Sequence, residues 1–267
     1  MDTSTLTVLT PILLMAVFGV PHGALDAALI KTTTSKNRRA ATFGGYIAIV
    51  VACIAGWYLA PTAAILLFLA LSTWHFGSSD IVDQQPQHRL LQIIVRGGTW
   101  TLFLPLYHWS ATEPIFTQLN TNTEFIRIGL MLALPLWILG CGAFLYIELM
   151  ARSYKAITTP ACVLVLCLAL PPLWSLGLYF CFWHARRHTQ QTLAHLADAA
   201  SAKRLGRGIT ALTLAIAAVA FGLMPSEISL DTAMIRIFFV GIFALTVPHM
   251  ILIDYYLART HLPGTQI

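Results

Sequence analysis

Long apolar runs separated by short polar connections cover almost the whole chain. A helix needs about 20 apolar residues to cross the hydrocarbon core of a bilayer. Runs of that order lie at 6–30, 42–60, 62–78, 90–109, 125–149, 157–171, 172–190, 208–224 and 232–257. The pattern predicts an all-α, polytopic membrane bundle, with residues 1–267 forming a single transmembrane domain of nine crossings. Seven or eight stay open as counts, because Pro171 and Pro172 either divide 157–190 in two or kink one long helix, and 62–78 is short. Between Arg187 and Arg207, the apolar positions Leu193, Leu196 and Ala197 suit a helix that continues out of the membrane or lies along its surface.

Composition agrees. The chain is 57% hydrophobic and 10% charged, against about 25% charged in soluble domains, so too few charges exist to cover a water-facing surface. The net charge of +5 sits in short clusters between apolar runs, which makes it a topology signal and a lipid-headgroup contact, with no nucleic-acid footprint. Lys31, Lys36, Arg38 and Arg39, then Arg89, Arg152 and Lys155, then Arg186, Arg187, Lys203, Arg204 and Arg207, and finally Arg259 mark one side. Glu113, Glu124, Glu227 and Asp231 mark the other, with Arg127 and Arg236 just inside the following spans. The positive-inside rule then puts the N-terminus outside and the C-terminus in the cytoplasm, in the cell (inner) membrane, provided 157–190 crosses twice. The start, MDTSTLTVLTPILL, lacks a basic region, so no cleaved secretory signal is expected. Cys53, Cys141, Cys162, Cys167 and Cys181 lie in apolar segments with no C-x-x-C pair, and are read as small hydrophobes.

The histidines separate by depth. His22, His75, His184, His188 and His249 fall near the cytoplasmic ends of spans that run inward. His108 lies at the opposite face, His88 and His261 in polar segments, and His195 beyond the bilayer edge. Polar side chains within membrane spans face the bundle interior and pair with one another. One such histidine can be a helix–helix hydrogen bond, but five from four helices at one depth suggest a metal. In WHARRH, His184 and His188 share a helix face four residues apart, while Arg186 and Arg187 turn away toward headgroups. Imidazoles without thiolates suit iron, copper or zinc.

Carboxylates follow three of these histidines. Asp26 is one turn after His22, on the same face, and is the expected hydrogen-bond partner of its ring. Asp80 and Asp254 each lie five residues after His75 and His249, off-face in a regular helix, and are weighed equally as supporting carboxylates and as headgroup-level residues. Pro21 and Pro248 precede histidines and are expected to kink their helices. Gly19 and Gly23 keep the first helix surface low for a neighbouring helix or ligand. Trp74, Phe76, Tyr179, Phe180, Phe182 and Trp183 gather at this depth; some belong to an interfacial belt, and those facing the metal line a site for a long apolar substrate.

Four motifs, GVPHGALD, WHFGSSD, YFCFWHARRH and LTVPHMILIDYYL, resemble in sequence and order those of the Brp/Blh β-carotene 15,15′-dioxygenases, across essentially the whole chain. The resemblance implies an iron(II)-dependent membrane enzyme that splits β-carotene at its central double bond with O2, giving two molecules of all-trans-retinal for a microbial rhodopsin. It further implies iron binding by His22, His75, His184 and His188, with His249 in the later Pro-His motif. Three other classes use membrane histidines. A b-type haem carrier needs two axial histidines, a di-iron desaturase needs about twice the ligands present here, and a metal-ion transporter spreads its ligands over several depths.

Overall fold

The computed structural model describes residues 3–81 and 88–260, leaving aside the side chains of residues 3–5, 155 and 254–260. Among the described residues all regular structure is helical. The first apolar run forms α1 (Thr3–Leu14), a π-helical turn (Met15–Gly19), α2 (Val20–Gly23) and, after a break at Ala24 and Leu25, α3 (Asp26–Thr33). Then come α4 (Arg39–Leu59), α5 (Pro61–Ser79), α6 (Arg89–Gly98), a second π-turn (Thr99–Phe103), α7 (Leu104–Tyr107) and α8 (Trp109–Gln118). The chain continues through α9 (Thr123–Met150), α10 (Tyr154–Ala169), α11 (Pro172–Tyr179), a third π-turn (Phe180–His184), α12 (Ala185–Ala194), α13 (Ala199–Gly222) and α14 (Leu230–Thr260).

Six helices among the described residues are long and apolar enough to cross a membrane: Leu6–Thr33, Lys36–Leu59, Pro61–Ser79, Thr123–Met150, Ala199–Gly222 and Leu230–Ile253. The short run 62–78 is one of them. Three expected spans fall below that standard for identifiable reasons. The helical stretch from Arg89 carries Gln92 and Arg96 as well. Helix α10 has 16 residues, and the stretch from Pro172 ends in the polar sequence HARRH. The proline pair does divide 157–190: α10 stops at Ala169 and α11 starts at Pro172. Ser175, fully buried, turns its hydroxyl onto the carbonyls of Leu166 and Leu170, each at 3.0 Å, where α10 ends; the Leu166 carbonyl also accepts from the Leu170 amide at 3.2 Å.

The chain forms two compact units, one comprising the residues up to Ala60 with those from Phe180 onward, the other Pro61–Tyr179. In the first, α14 packs against α1 and α4, α13 against α3, and α12 against α2. Leu25, Ala28, Leu29 and Ile30 form a buried cluster with Leu196, Ala202 and Leu252, and Leu193 packs against it. Leu193 and Leu196 therefore face protein. Helix α12 stops at Ala194, and α13 begins at Ala199, ahead of the expected residue 208, capped by Asp198, whose carboxylate accepts from the Ser201 amide at 2.9 Å.

In the second unit α5 and α6 cross at very close range. A methyl group on Gly97 would overlap the Thr73 carbonyl, and one on Gly77 would overlap the Ile93 carbonyl. Such approach of small residues is how membrane helices gain packing without a hydrophobic drive. The Thr73 and Thr101 hydroxyls hydrogen-bond across the crossing. It fixes the C-terminal half of α5, which carries His75.

Candidate functional site

In the first unit, His22 is ringed by three other imidazoles. Its ring centroid lies 5.4 Å from that of His184, 5.5 Å from His188 and 5.3 Å from His249. His188 and His249 are 5.0 Å apart, and His184 and His188, one turn apart, 6.2 Å. His22, His184 and His249 are buried. Four of the five histidines grouped by depth are thus neighbours, brought together by α2, the turn Phe180–His184, α12 and α14.

Two π-turns shape this cluster, one just before His22 and one ending on His184. A π-turn inserts one residue into a helix and is frequent at functional sites. Proline in an α-helix strikes the carbonyl four residues back, which for Pro21 is that of Val17, inside the widened turn Met15–Gly19. Pro105 stands in the same relation to Thr99–Phe103. The expected disturbance at Pro21 is therefore a π-turn followed by the break at Ala24, whereas Pro248 lies within an unbroken helix. No proline follows Phe180–His184 at that spacing, and nothing local in the sequence accounts for that turn.

The two turns meet at Gly19. The Phe180 ring sits where a Cβ on Gly19 would be, and the Cys181 thiol donates to the Leu14 carbonyl at 3.4 Å. Phe180 stacks on His184 with ring planes 12° apart and meets the edge of His22. The low surface at Gly19 receives this ring, while Gly23 has open space beside it.

Hydrogen bonds fix two of the rings. His22 Nδ1 donates to the Gly19 carbonyl, so in the neutral ring the lone pair is on Nε2. His249 Nδ1 donates to the Asp26 carboxylate at 2.8 and 2.9 Å, with the same consequence. This corrects the expected pairing of Asp26 with His22. The break between α2 and α3 turns Asp26 off the His22 face, and the His22 Nδ1 proton goes to the main chain instead. Tyr46 on α4 donates its hydroxyl to Asp26 Oδ2 at 2.9 Å. Sequence reasoning missed Tyr46, because a tyrosine in an apolar run reads as an ordinary membrane residue. His22 and His249 can each present a ring nitrogen within 4.8 Å of the other's. Buried imidazoles with lone pairs turned from their hydrogen-bonded sides are a donor set that a divalent transition metal fits.

In the second unit, His75 is buried near the end of α5, and the Ser78 and Ser79 hydroxyls donate to its carbonyl at 3.2 and 2.7 Å. Helix α5 ends at Ser79, and the buried Asp80 accepts from the Tyr179 hydroxyl at 2.8 Å. Tyr179 stacks on Trp100 at 4.1 Å and meets Phe76 edge-on at 5.6 Å. Of the aromatic candidates, Phe76, Tyr179 and Phe180 are buried, whereas Trp74 and Trp183 are exposed. His108 hydrogen-bonds the Cys167 carbonyl at 2.7 Å, a structural role. His195 is exposed. The Asp254 side chain lies outside the described residues.

A profile of the family described as beta-carotene 15,15′-dioxygenase matches residues 13–256. The chain belongs to the β-carotene 15,15′-dioxygenase family. It is accordingly an enzyme of the carotenoid-cleaving dioxygenase class, built from apolar helices of membrane-spanning length. Two relatives of this family are similar along most of their length. The beta-carotene 15,15′-dioxygenase of uncultured marine bacterium 66A03 is 31% identical over 250 residues, covering 91% of each chain. A probable beta-carotene 15,15′-dioxygenase Blh of Halobacterium salinarum is 23% identical, covering 90% of this chain and 81% of the relative. No solved structure matches the chain significantly.

Proposed function

We propose that this chain cleaves β-carotene at its central 15,15′ double bond with O2, at an iron(II) centre bound by His22, His75, His184 and His188. The observation that carries the reading is the packing of His184, His188 and His249 around His22 in a buried, apolar setting. His75, from the second unit, joins the proposed set on its sequence motif and its burial. When held by these residues, iron(II) would supply the chemistry that activates O2.

The chain's own residues have three tasks. The Gly19 carbonyl accepts from His22 Nδ1 and so leaves the ring's lone pair on Nε2, where it can ligate a metal. Phe180, wedged between Gly19 and two imidazoles, keeps water from that side of the rings. The third task is recognition of a hydrocarbon that offers no hydrogen-bonding group, which only the shape of an apolar surface can accomplish. Phe76, Tyr179 and Phe180 are the buried candidates for that lining, while Trp74 and Trp183 suit the lipid boundary. One oxygen atom of O2 goes to each carbon of the broken bond, which gives two identical retinal molecules and balances without another oxidant.

The reading includes residence in the cell membrane with seven to nine crossings, N-terminus outside and C-terminus cytoplasmic, taken from the charge pattern along the chain. The retinal released into the bilayer is suited to loading a microbial rhodopsin. A bacterium that accumulates β-carotene tests the core of the reading. Expression should bleach its yellow colour and produce retinal. Persistent colour, with the protein in the membrane and iron supplied, sinks the proposal. A haem absorbance band in the purified protein would favour the haem-carrier alternative.

A further inference from the structure

The metal reading assigns four histidines and leaves His249 without a task, yet a buried carboxylate holds its ring. Three helices of the first unit converge on it in a single chain of hydrogen bonds. The Tyr46 hydroxyl, on α4, donates to Asp26 Oδ2 at 2.9 Å. Asp26, at the start of α3, faces His249 Nδ1 with both oxygens, at 2.8 and 2.9 Å. His249, on α14, stands 5.3 Å from His22 and 5.0 Å from His188 between ring centroids.

We propose that His249 is a further nitrogen donor to the same metal centre, and that Asp26 and Tyr46 are positioning residues that hold its ring. The inference rests on the metal-site reading above and extends it.

Three arguments carry it. The first is the tautomer. A carboxylate has no proton to give and Nδ1 faces it, so the proton is on Nδ1 and the lone pair on Nε2. A hydrogen-bonded carboxylate behind a ligating imidazole fixes the ring and raises its basicity.

The second is charge. Asp26 is buried in a membrane-spanning run, where an isolated carboxylate is expensive. Among the described residues its partners are a tyrosine and a histidine, with no lysine or arginine. A cation held on the far side of the imidazole supplies the missing positive charge through the ring.

The third is reach. His22 and His249 present ring nitrogens within 4.8 Å of one another, so a metal at His22 is a neighbour of His249. Tyr46 completes the arrangement by donating to Asp26 Oδ2, a second hold on the carboxylate.

The test uses the full chain purified in detergent, as wild type and as His249→Gln, Asp26→Asn, Asp26→Glu, Tyr46→Phe and His184→Ala. Iron per polypeptide is read against a graded chelator, and cobalt(II) is substituted to give a visible absorption spectrum. His249→Gln should weaken metal binding about 10–100-fold and shift the cobalt bands. Asp26→Asn and Tyr46→Phe should move both readouts in the same direction by less, and Asp26→Glu should recover part of the Asp26→Asn loss. A merely structural role for the chain would lower stability without moving the cobalt bands.

Wild-type affinity and an unchanged spectrum in His249→Gln, alongside loss of metal in His184→Ala, would overturn the inference and leave the metal site standing. Failure of the wild type to hold any metal would overturn both. If His249→Gln does not fold, Tyr46→Phe, which removes one oxygen atom, decides the matter by the same spectrum.

Discussion

The carboxylate of Asp26 accepts the Nδ1 proton of His249 at 2.8 Å across 223 positions of sequence. This bond ties the broken end of the first helical run to the last long helix. Asp26→Ala would leave a buried N–H without an acceptor, which costs about 1–3 kcal/mol. We predict a lowered unfolding temperature in detergent, larger than that of Tyr46→Phe. An equal or higher unfolding temperature would show that the buried carboxylate is not paired as described.

Gly19 is the contact between two π-turns. A methyl group there overlaps the Phe180 ring, and overpacking typically costs about 1–3 kcal/mol. Gly19→Ala should lower both stability and retinal formation. Adding Phe180→Leu should recover part of the stability, so that the two changes are less than additive. Strict additivity in thermal unfolding would contradict the contact.

The metal reading predicts that removing iron with a strong chelator abolishes cleavage, and that iron(II) restores it where zinc does not. Retinal is measured by its absorbance after extraction. Full activity in protein shown to be metal-free would end the reading.

His184→Ala should abolish retinal formation, whereas His108→Ala should leave most of it. His108 donates to the Cys167 carbonyl, a hydrogen bond worth about 1 kcal/mol. Its loss should appear as a small drop in unfolding temperature. Equal loss of cleavage in the two variants would refute the division of roles.

Tyr179→Phe and Asp80→Ala break one hydrogen bond of 2.8 Å from its two ends. Each should cost about 1–3 kcal/mol, and the double variant should cost less than the sum. The stacked ring of Trp100 is untouched by Tyr179→Phe, so the aromatic packing survives.

How much of this was legible in the sequence depends on the length scale of each feature. An all-helical chain with long apolar helices follows from composition and periodicity. The grouping of His22, His184, His188 and His249 could be argued from helix direction and depth alone. The number of crossings could not, because Gln92, Arg96 and the HARRH segment dilute helices that are otherwise regular. The partner of Asp26 was misread because same-face reasoning assumes an unbroken helix, and α2 stops at Gly23. Tyr46 left no signal, since its partner is on another helix. The π-turn at Met15–Gly19 had a hint in Pro21, and the one at Phe180–His184 had none.

Those turns have a consequence for how this chain can vary. Each holds one residue more than the α-helical path requires, and a single residue turns a helix by about 100°. Deleting one of residues 181–183 would close the turn into an ordinary helix and change which side chains fall beside Gly19 and His22. Exchanging side chains on the lipid-facing surface leaves that arrangement intact. Length is therefore the constrained quantity here: an insertion or deletion between Met15 and His22, or between Phe180 and His188, dismantles the imidazole cluster without altering one of its histidines.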